Sequence, residues 1–250
     1  MPSLIPNSIL LRLAKRTAQL LKTKQEQLAA IRWTDGESNT ESGFSSLACS
    51  SAAEAWTSVK ADAPEFADTT FVATSPDISI KLLHEATVIA TGKIELKSGK
   101  GDIIPGSTIA KVDMNQATIY CKRGETTFDF RYGQYHSCIG DSDTDMFQDR
   151  TPRPHVNFKK MTDPDAEVPY VEKEKGDWVK RYAECAVNRT EQMPGASWQD
   201  DLTAHIINEY LRRTSIEEIM ERKNSLVLET ITTKLRRFKL PPVETAPSEQ

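Results

Sequence analysis

Residues Thr74–Tyr120 read TSPDISIKLLHEATVIATGKIELKSGKGDIIPGSTIAKVDMNQATIY, and this stretch decides the fold. Within it, residues 77–82 and 93–97 alternate apolar and polar side chains, which is typical of a strand with one buried face. Glycines bound the second segment, and Pro76 precedes the first, as a proline often does at a strand start. The pattern therefore predicts two short strands.

These two strands are expected to pair antiparallel through a turn at residues 85–87. In that register Ile78 faces Ile94. One position further along, Asp77 faces Glu95, so both carboxylates lie on one side of the sheet with β-carbons about 5 Å apart. Two carboxylates at that distance repel each other, and a hard divalent cation between them relieves the repulsion.

Two further polar features accompany the carboxylate pair. Lys97 lies two residues after Glu95 and on the same face of the strand, so it places a positive charge beside the pair. Downstream, residues at helical spacing predict a helix. Its buried stripe contains Ile109, Val112, Gln116, Ile119 and Tyr120. A buried amide without partners costs about 1 to 3 kcal/mol, so Gln116 is expected to bond a polar group, and the strand site is the candidate.

The order of these residues resembles a known nuclease motif. Pro76-Asp77, seventeen residues and then Glu95-Leu96-Lys97 resemble the PD-(D/E)xK motif, and Gln116 with Tyr120 resembles the Q-x-x-x-Y helix of the exonuclease branch of that superfamily. The resemblance covers about 47 of the 250 residues. It implies a restriction-endonuclease-like core in which two acidic residues bind Mg²⁺, a lysine helps to activate the attacking water and a glutamine supports the site. Matched by position, these residues are Asp77, Glu95, Lys97 and Gln116, with Tyr120 packed beneath.

A second predicted helix precedes the strands, over Phe44 to Val59. Its apolar stripe faces a core, and Glu54 lies at the edge of that stripe. Many members of the superfamily carry an acidic residue on a helix before the first strand, where it joins the metal site. The resemblance makes Glu54 the candidate for this third metal ligand, and an exposed helix glutamate is the alternative.

A long polar and proline-rich insertion is predicted at residues 136–170. Loops of this length are often functional, and its basic side chains make it a candidate for contacting DNA, with a plain surface loop as the alternative. The candidate nucleic-acid-binding residues are Lys100, Arg150, Arg153, Lys159 and Lys160.

Composition limits the class of protein. The chain has 250 residues and a net charge of −4, which is against a protein that coats nucleic acid over its whole surface. The charge is uneven, because residues 1–34 carry six basic and one acidic side chain and residues 211–240 carry eight basic and four acidic. No apolar run approaches the roughly 20 residues of a membrane helix, and the four cysteines form no C-x-x-C pair. An intracellular protein, cytoplasmic or nuclear, is expected.

Together these observations predict an α/β protein whose central mixed sheet is flanked by helices. The expected organisation is an N-terminal amphipathic helix (1–35), a nuclease-like core (36–195), C-terminal helices (196–240) and a disordered tail (241–250). The leading hypothesis is a Mg²⁺-dependent DNA endonuclease, with Mn²⁺ as an alternative metal. A non-catalytic binding module, a recombination or repair exonuclease, an RNA substrate and a homodimer are left open.

Overall fold

The computed structural model describes separate stretches of the chain. These are residues 2–33, 43–75, 77–106, 113–139 and 154–174. The chain divides into two units, Met1–Ala186 and Val187–Gln250, and every described residue lies in the first. The predicted helices at 196–240 and the tail at 241–250 lie outside the described residues.

Helices and strands both contribute to this first unit. The α-helices are α1 (Asn7–Thr23), α2 (Gln25–Ala29) and α3 (Gly43–Val59). The strands are β1 (Ser3–Leu4), β2 (Thr70–Thr74), β3 (Ile78–His84), β4 (Thr87–Gly99), β5 (Ile103–Pro105), β6 (Ala117–Arg123), β7 (Phe128–Gln134) and β8 (His155–Asn157). Short 3-10 helices lie at Lys60–Asp62, Pro64–Phe66, Tyr135–Ser137 and Phe158–Lys160.

A six-stranded mixed sheet forms the centre of the unit, with its main path in the order β2-β3-β4-β6-β7. Along this path, neighbouring strands are antiparallel except that β4 and β6 run parallel. The long strand β4 has two parallel neighbours, because β1 pairs with its first half and β6 with its second half. Strands β5 and β8 form a separate two-stranded sheet. The predicted α/β class with a mixed sheet is confirmed.

The predicted hairpin is confirmed, and its predicted register holds over residues 78–82. Ile78 pairs with Ile94 and Leu82 with Ala90, and the chain reverses at Glu85 and Ala86. Both turn residues have positive φ, 47° and 65°. Two consecutive residues of that kind form a tight turn whose twist matches an antiparallel pair, and it joins His84 to Thr87. The register then shifts by one residue between Leu82 and Leu83.

One face of the sheet packs on two helices. Helix α1 lies over β6 and β7, and α3 lies over β2 and β3. Their apolar side chains join those of the strands, among them Leu13, Phe44, Ile94, Leu96 and Phe130, in the main hydrophobic core. No helix among the described residues is both long and apolar enough to span a bilayer.

A smaller hydrophobic cluster lies apart from this core. It is formed by Met114, Tyr120, Tyr135, Cys138, Ile139, Val156, Phe158 and Met161. Several of these residues come from the predicted insertion at 136–170, of which residues 140–153 lie outside the described part. The insertion therefore contributes buried side chains as well as exposed ones.

The helix predicted over Ile109 to Tyr120 is wrong in its described part. Residues 113–116 form a turn, and Ala117–Arg123 is strand β6. The first five residues of β6 are all buried, because the strand is interior and packed on both faces. Such a strand lacks the alternation that identifies a one-sided strand, and its continuous apolar run resembles the stripe of a helix.

The N-terminal helix is shorter than the predicted amphipathic segment. It is interrupted at Lys24, whose backbone has φ −97° and ψ 39°, and it resumes as α2. The Lys24 ammonium donates to Ser51 Oγ at 3.0 Å and to Glu54 at 2.9 Å on α3. The interruption thus directs a basic side chain onto the neighbouring helix.

Candidate functional site

Asp77 and Glu95 share one cationic neighbour, the side chain of Lys93. The Lys93 ammonium lies 2.9 Å from Asp77 Oδ2 and 3.1 Å from Glu95 Oε2. The two carboxylates therefore lie on the same side of the sheet, as the predicted register requires. Burial opposes the charged form of Lys93, yet its hydrogen bond to Asp77 and the charge of Glu95 raise its pKa above the ordinary value.

Lys97 completes the cluster from the other side of Glu95. Its ammonium lies 2.6 Å from Glu95 Oε1, so the two oxygens of Glu95 contact two different lysines. The side chain of Glu95 is only 5% exposed, whereas that of Lys93 is 48% exposed. The cluster is therefore closed around Glu95 and open to solvent at Lys93.

Asp77 is held by the backbone as well as by charge. Its φ of 59° lies in the left-handed region, which Asp and Asn tolerate better than most residues. Its Oδ1 accepts a hydrogen bond of 3.0 Å from the backbone N–H of Leu96, which ties the start of β3 to β4. The Cys49 thiol on α3 donates to the Asp77 carbonyl at 3.6 Å, and burial, with a smaller effect of the Asp77 charge, raises the pKa of that thiol.

We expect Asp77→Ala to lower the free energy of unfolding by about 2 kcal/mol, because it removes the acceptor for the Leu96 N–H and places alanine at positive φ. Asp77→Asn keeps the acceptor and the tolerance of positive φ, so its cost is expected to be under about 1 kcal/mol. Urea unfolding of the two variants beside the wild type measures both values. Equal losses of unfolding free energy in the two variants would contradict a role of Asp77 in holding the backbone.

Two buried polar groups of the β6 segment lie beside this cluster. Thr118 is the register partner of Glu95 on the parallel strand β6, and it is fully buried. Gln116 is 9% exposed, and continuing the same register by two residues places it level with Lys93. Thr118 Oγ1 and Gln116 Nε2 have no hydrogen-bond partner among the described residues. Buried donors of this kind are uncommon in folded proteins and call for an explanation.

Tyr120 lies on the same face of β6 but faces the second cluster. It is the register partner of Lys97 and is fully buried. Its hydroxyl donates to the carbonyl of Gly101 at 2.8 Å, and its ring packs edge-on against Phe158 at 5.3 Å. Burial raises the pKa of Tyr120 well above its ordinary value, so the hydroxyl stays protonated.

Glu54 is not brought to the carboxylate pair. It lies on α3, and its side chain, 57% exposed, forms an ion pair with Lys24 at 2.9 Å. The α3 residue that contacts Asp77 is Cys49, five positions earlier. In place of the third metal ligand, the structure has the alternative, an exposed helix glutamate, which pairs with Lys24 at the break between α1 and α2.

The described basic candidates lie at the surface near β5 and β8. Lys159 pairs with Asp102 at 3.0 Å, and Asp102 also pairs with Lys122 at 2.5 Å. These hydrogen bonds lower the pKa of Asp102 below its ordinary value. Lys100 and Lys160 are exposed. Arg150 and Arg153 lie outside the described residues.

The donor set of the cluster is suited to a hard divalent cation. Two carboxylate oxygens already contact a single positive charge, and Mg²⁺ is commonly bound by one or two carboxylates with water and substrate oxygens filling the other positions. Among the residues that the structure describes, no group of three or more His, Cys, Asp or Glu side chains is placed to hold a metal. The cluster is therefore a two-carboxylate candidate.

Comparison with known protein families, curated proteins and solved structures finds no match. The candidate site is accordingly defined by its own geometry.

Sequence reasoning missed two residues of the cluster. Lys93 opens the alternation predicted for residues 93–97, so the pattern already places it on the face of Glu95 and Lys97, and only its contact with the two carboxylates was missed. Thr118 gave no such signal, because its position depends on the parallel pairing of β4 with a segment predicted as a helix.

Proposed function

We propose that this chain is a metal-dependent DNA phosphodiesterase, an endonuclease with a restriction-endonuclease-like core. The observation that supports the proposal most strongly is that Asp77 and Glu95, from neighbouring strand segments, both contact one positive charge on the same side of the sheet. Lys97, 2.6 Å from Glu95, supplies the adjacent amine that the PD-(D/E)xK resemblance implies.

Asp77 Oδ2 and Glu95 Oε2 are the oxygens that would hold Mg²⁺ or Mn²⁺. When bound, such an ion supplies positive charge that stabilises the phosphate in the transition state and acidifies nearby water. Lys97, fixed by Glu95, orients its N–H groups toward the attacking water and stabilises negative charge as it develops. The buried donors of Gln116 and Thr118 provide further hydrogen bonds to a water or a phosphate oxygen.

Exposed and half-buried lysines near the cluster provide contacts for the rest of the nucleic acid. Gly99 of β4 pairs with Lys122 of β6, so Lys122 lies a few residues along the sheet from Lys97. Lys159 shares Asp102 with Lys122. Together with Lys100 and Lys160 these side chains would neutralise phosphates on either side of the cleaved bond, and such contacts weaken as salt rises.

The test is a digestion assay with the purified full chain. Supercoiled plasmid, a linear duplex and single-stranded RNA are each incubated with Mg²⁺, with Mn²⁺ and with chelator. We expect metal-dependent nicking of the plasmid, because a closed circle has no end for an exonuclease to enter. Cleavage of the linear duplex alone would favour an exonuclease, and cleavage of RNA alone would favour a ribonuclease. Absence of metal-dependent cleavage from all three substrates would overturn the proposal.

The charge balance of the cluster favours one other function. The charges of Lys93 and Lys97 balance those of Asp77 and Glu95, so the four side chains also form an ion-pair network. In a non-catalytic module with the same fold, which binds nucleic acid or protein, this network would serve structure alone. A gel shift of duplex DNA with no cleavage under any metal condition would support that function.

Thr118→Val separates these two functions through stability. Valine has nearly the same shape and lacks the hydroxyl that has no partner among the described residues. If the hydroxyl binds a ligand, we expect Thr118→Val to be more stable than the wild type, with a free energy of unfolding about 1 kcal/mol higher. We also expect it to cleave more slowly. Urea unfolding and plasmid nicking measure the two effects. A variant that is destabilised, or that cleaves at the wild-type rate, would remove Thr118 from the site.

A further inference from the structure

Lys93 occupies the position that a divalent cation bound to Asp77 and Glu95 would take. Its ammonium lies between Asp77 Oδ2 and Glu95 Oε2, at 2.9 and 3.1 Å. A divalent cation that bound both oxygens would occupy the same space and carry the same sign of charge. The two cannot be present together, since like charges in contact repel strongly.

We propose that Lys93 is an internal competitor for the divalent cation: its ammonium holds the two carboxylates together in the metal-free protein and is displaced when the metal binds. This inference rests on the proposed function, because it assumes that the carboxylate pair is a metal site. It assigns to Lys93 a positioning role that differs from that of Lys97.

The two lysines differ in the properties that displacement requires. The Lys93 side chain is 48% exposed, so its ammonium can be rehydrated when it leaves the carboxylates. The Lys97 side chain is 17% exposed, and its ion pair uses the other oxygen of Glu95. Lys97 therefore stays in place while Lys93 moves.

The neighbouring polar groups point to an occupant other than the lysine. Thr118 Oγ1 and Gln116 Nε2 are buried, with no hydrogen-bond partner among the described residues, and the register of β4 and β6 places them beside Glu95 and Lys93. The ammonium of Lys93 has no acceptor, so it cannot accept a hydrogen bond from the Gln116 amide or from the Thr118 hydroxyl. A hydrated cation or a phosphate brings oxygen atoms that accept hydrogen bonds from both.

Exchange of this kind explains why two acidic side chains remain close without a metal. Because Lys93 belongs to the same chain as the two carboxylates, its ammonium neutralises them whenever no metal is bound. The same side chain lowers the affinity for the metal, because the incoming cation must replace an existing ion pair. Removing Lys93 should therefore tighten metal binding.

The test is a titration of the full-length chain with Mn²⁺, in which electron paramagnetic resonance measures free Mn²⁺. We expect Lys93→Gln to bind Mn²⁺ about tenfold more tightly than the wild type, which corresponds to about 1.4 kcal/mol. Lys81→Gln is the matched control. It removes the same charge from exposed Lys81 on β3, which pairs with Thr91 two positions before Lys93. Its effect on Mn²⁺ affinity is expected to stay within about twofold.

Thermal unfolding provides a second measurement. A ligand that binds only the folded protein raises its melting temperature. We expect Mg²⁺ to raise the melting temperature of Lys93→Gln more than that of the wild type or of Lys81→Gln. A lysine that only formed a structural ion pair would lower the melting temperature of Lys93→Gln equally with and without Mg²⁺.

The outcomes distinguish this inference from the proposed function. If the wild type binds Mn²⁺, Glu95→Gln abolishes binding and Lys93→Gln binds no more tightly than the wild type, the metal site stands and the competitor role of Lys93 is rejected. If neither the wild type nor Lys93→Gln binds Mn²⁺ in a manner that needs Glu95, the metal site is rejected, and this inference with it.

Discussion

Glu95→Gln is expected to lower the rate of metal-dependent plasmid cleavage by about three orders of magnitude. Glu95 contributes one oxygen to the shared cation position and the other to Lys97, so the substitution weakens both contacts at once. Lys97→Met is expected to reduce cleavage by about two to three orders of magnitude while leaving Mn²⁺ binding in place. The measurement is the initial rate of nicking under saturating Mg²⁺.

Two control variants make this result specific. Glu54→Gln and Lys81→Gln each remove one charge from an exposed side chain outside the cluster, and both are expected to cleave within about twofold of the wild type. Circular dichroism and melting temperature show whether Glu95→Gln retains the fold. Wild-type cleavage by a folded Glu95→Gln variant would identify the activity as a contaminant.

Tyr120→Ala is expected to have the largest effect on stability, a loss of about 3 to 5 kcal/mol. The ring is fully buried in the second hydrophobic cluster and packs against Phe158, so truncation leaves a cavity there. Urea unfolding followed by circular dichroism measures the loss.

Tyr120→Phe tests whether the hydroxyl takes part in the chemistry. The hydroxyl donates to the carbonyl of Gly101. Gly101 is exposed, so water can donate to this carbonyl in the variant, and we expect the free energy of unfolding to fall by about 1 kcal/mol. Cleavage should stay within about threefold of the wild type, because the hydroxyl is engaged away from the carboxylates. A loss of a hundredfold or more would instead give Tyr120 a role in proton transfer.

The sequence predicted the hairpin and the side of the sheet that carries the carboxylates. Ile78 and Ile94 are buried while the residues between them and the turn alternate, so one buried face dictates the register. A shift by one residue would expose the apolar side chains of the entire strand. The pairing of Asp77 and Glu95 through Lys93 follows from that constraint.

The surroundings of the pair were not predictable from local patterns. Strand β6 is buried on both faces, so its residues show no alternation and were predicted as part of a helix. Thr118 lies beside Glu95 only because β6 pairs parallel with β4, and that pairing joins segments separated by a long connection. Glu54 was misassigned because its partner Lys24 lies at a break in the N-terminal helix, and the periodicity of that helix gave no sign of the break.

The left-handed backbone at Asp77 affects how variation at this position should be interpreted in homologues. The turn by itself favours Asp, Asn or Gly at φ 59°, so an aspartate there is consistent with a purely architectural requirement. Glu95 has no such backbone requirement, because it lies within strand β4, where its carboxylate contacts Lys93 and Lys97. In a set of homologues, Asn or Gly at 77 together with loss of the glutamate at 95 would therefore mark lineages that kept the turn and lost the carboxylate pair.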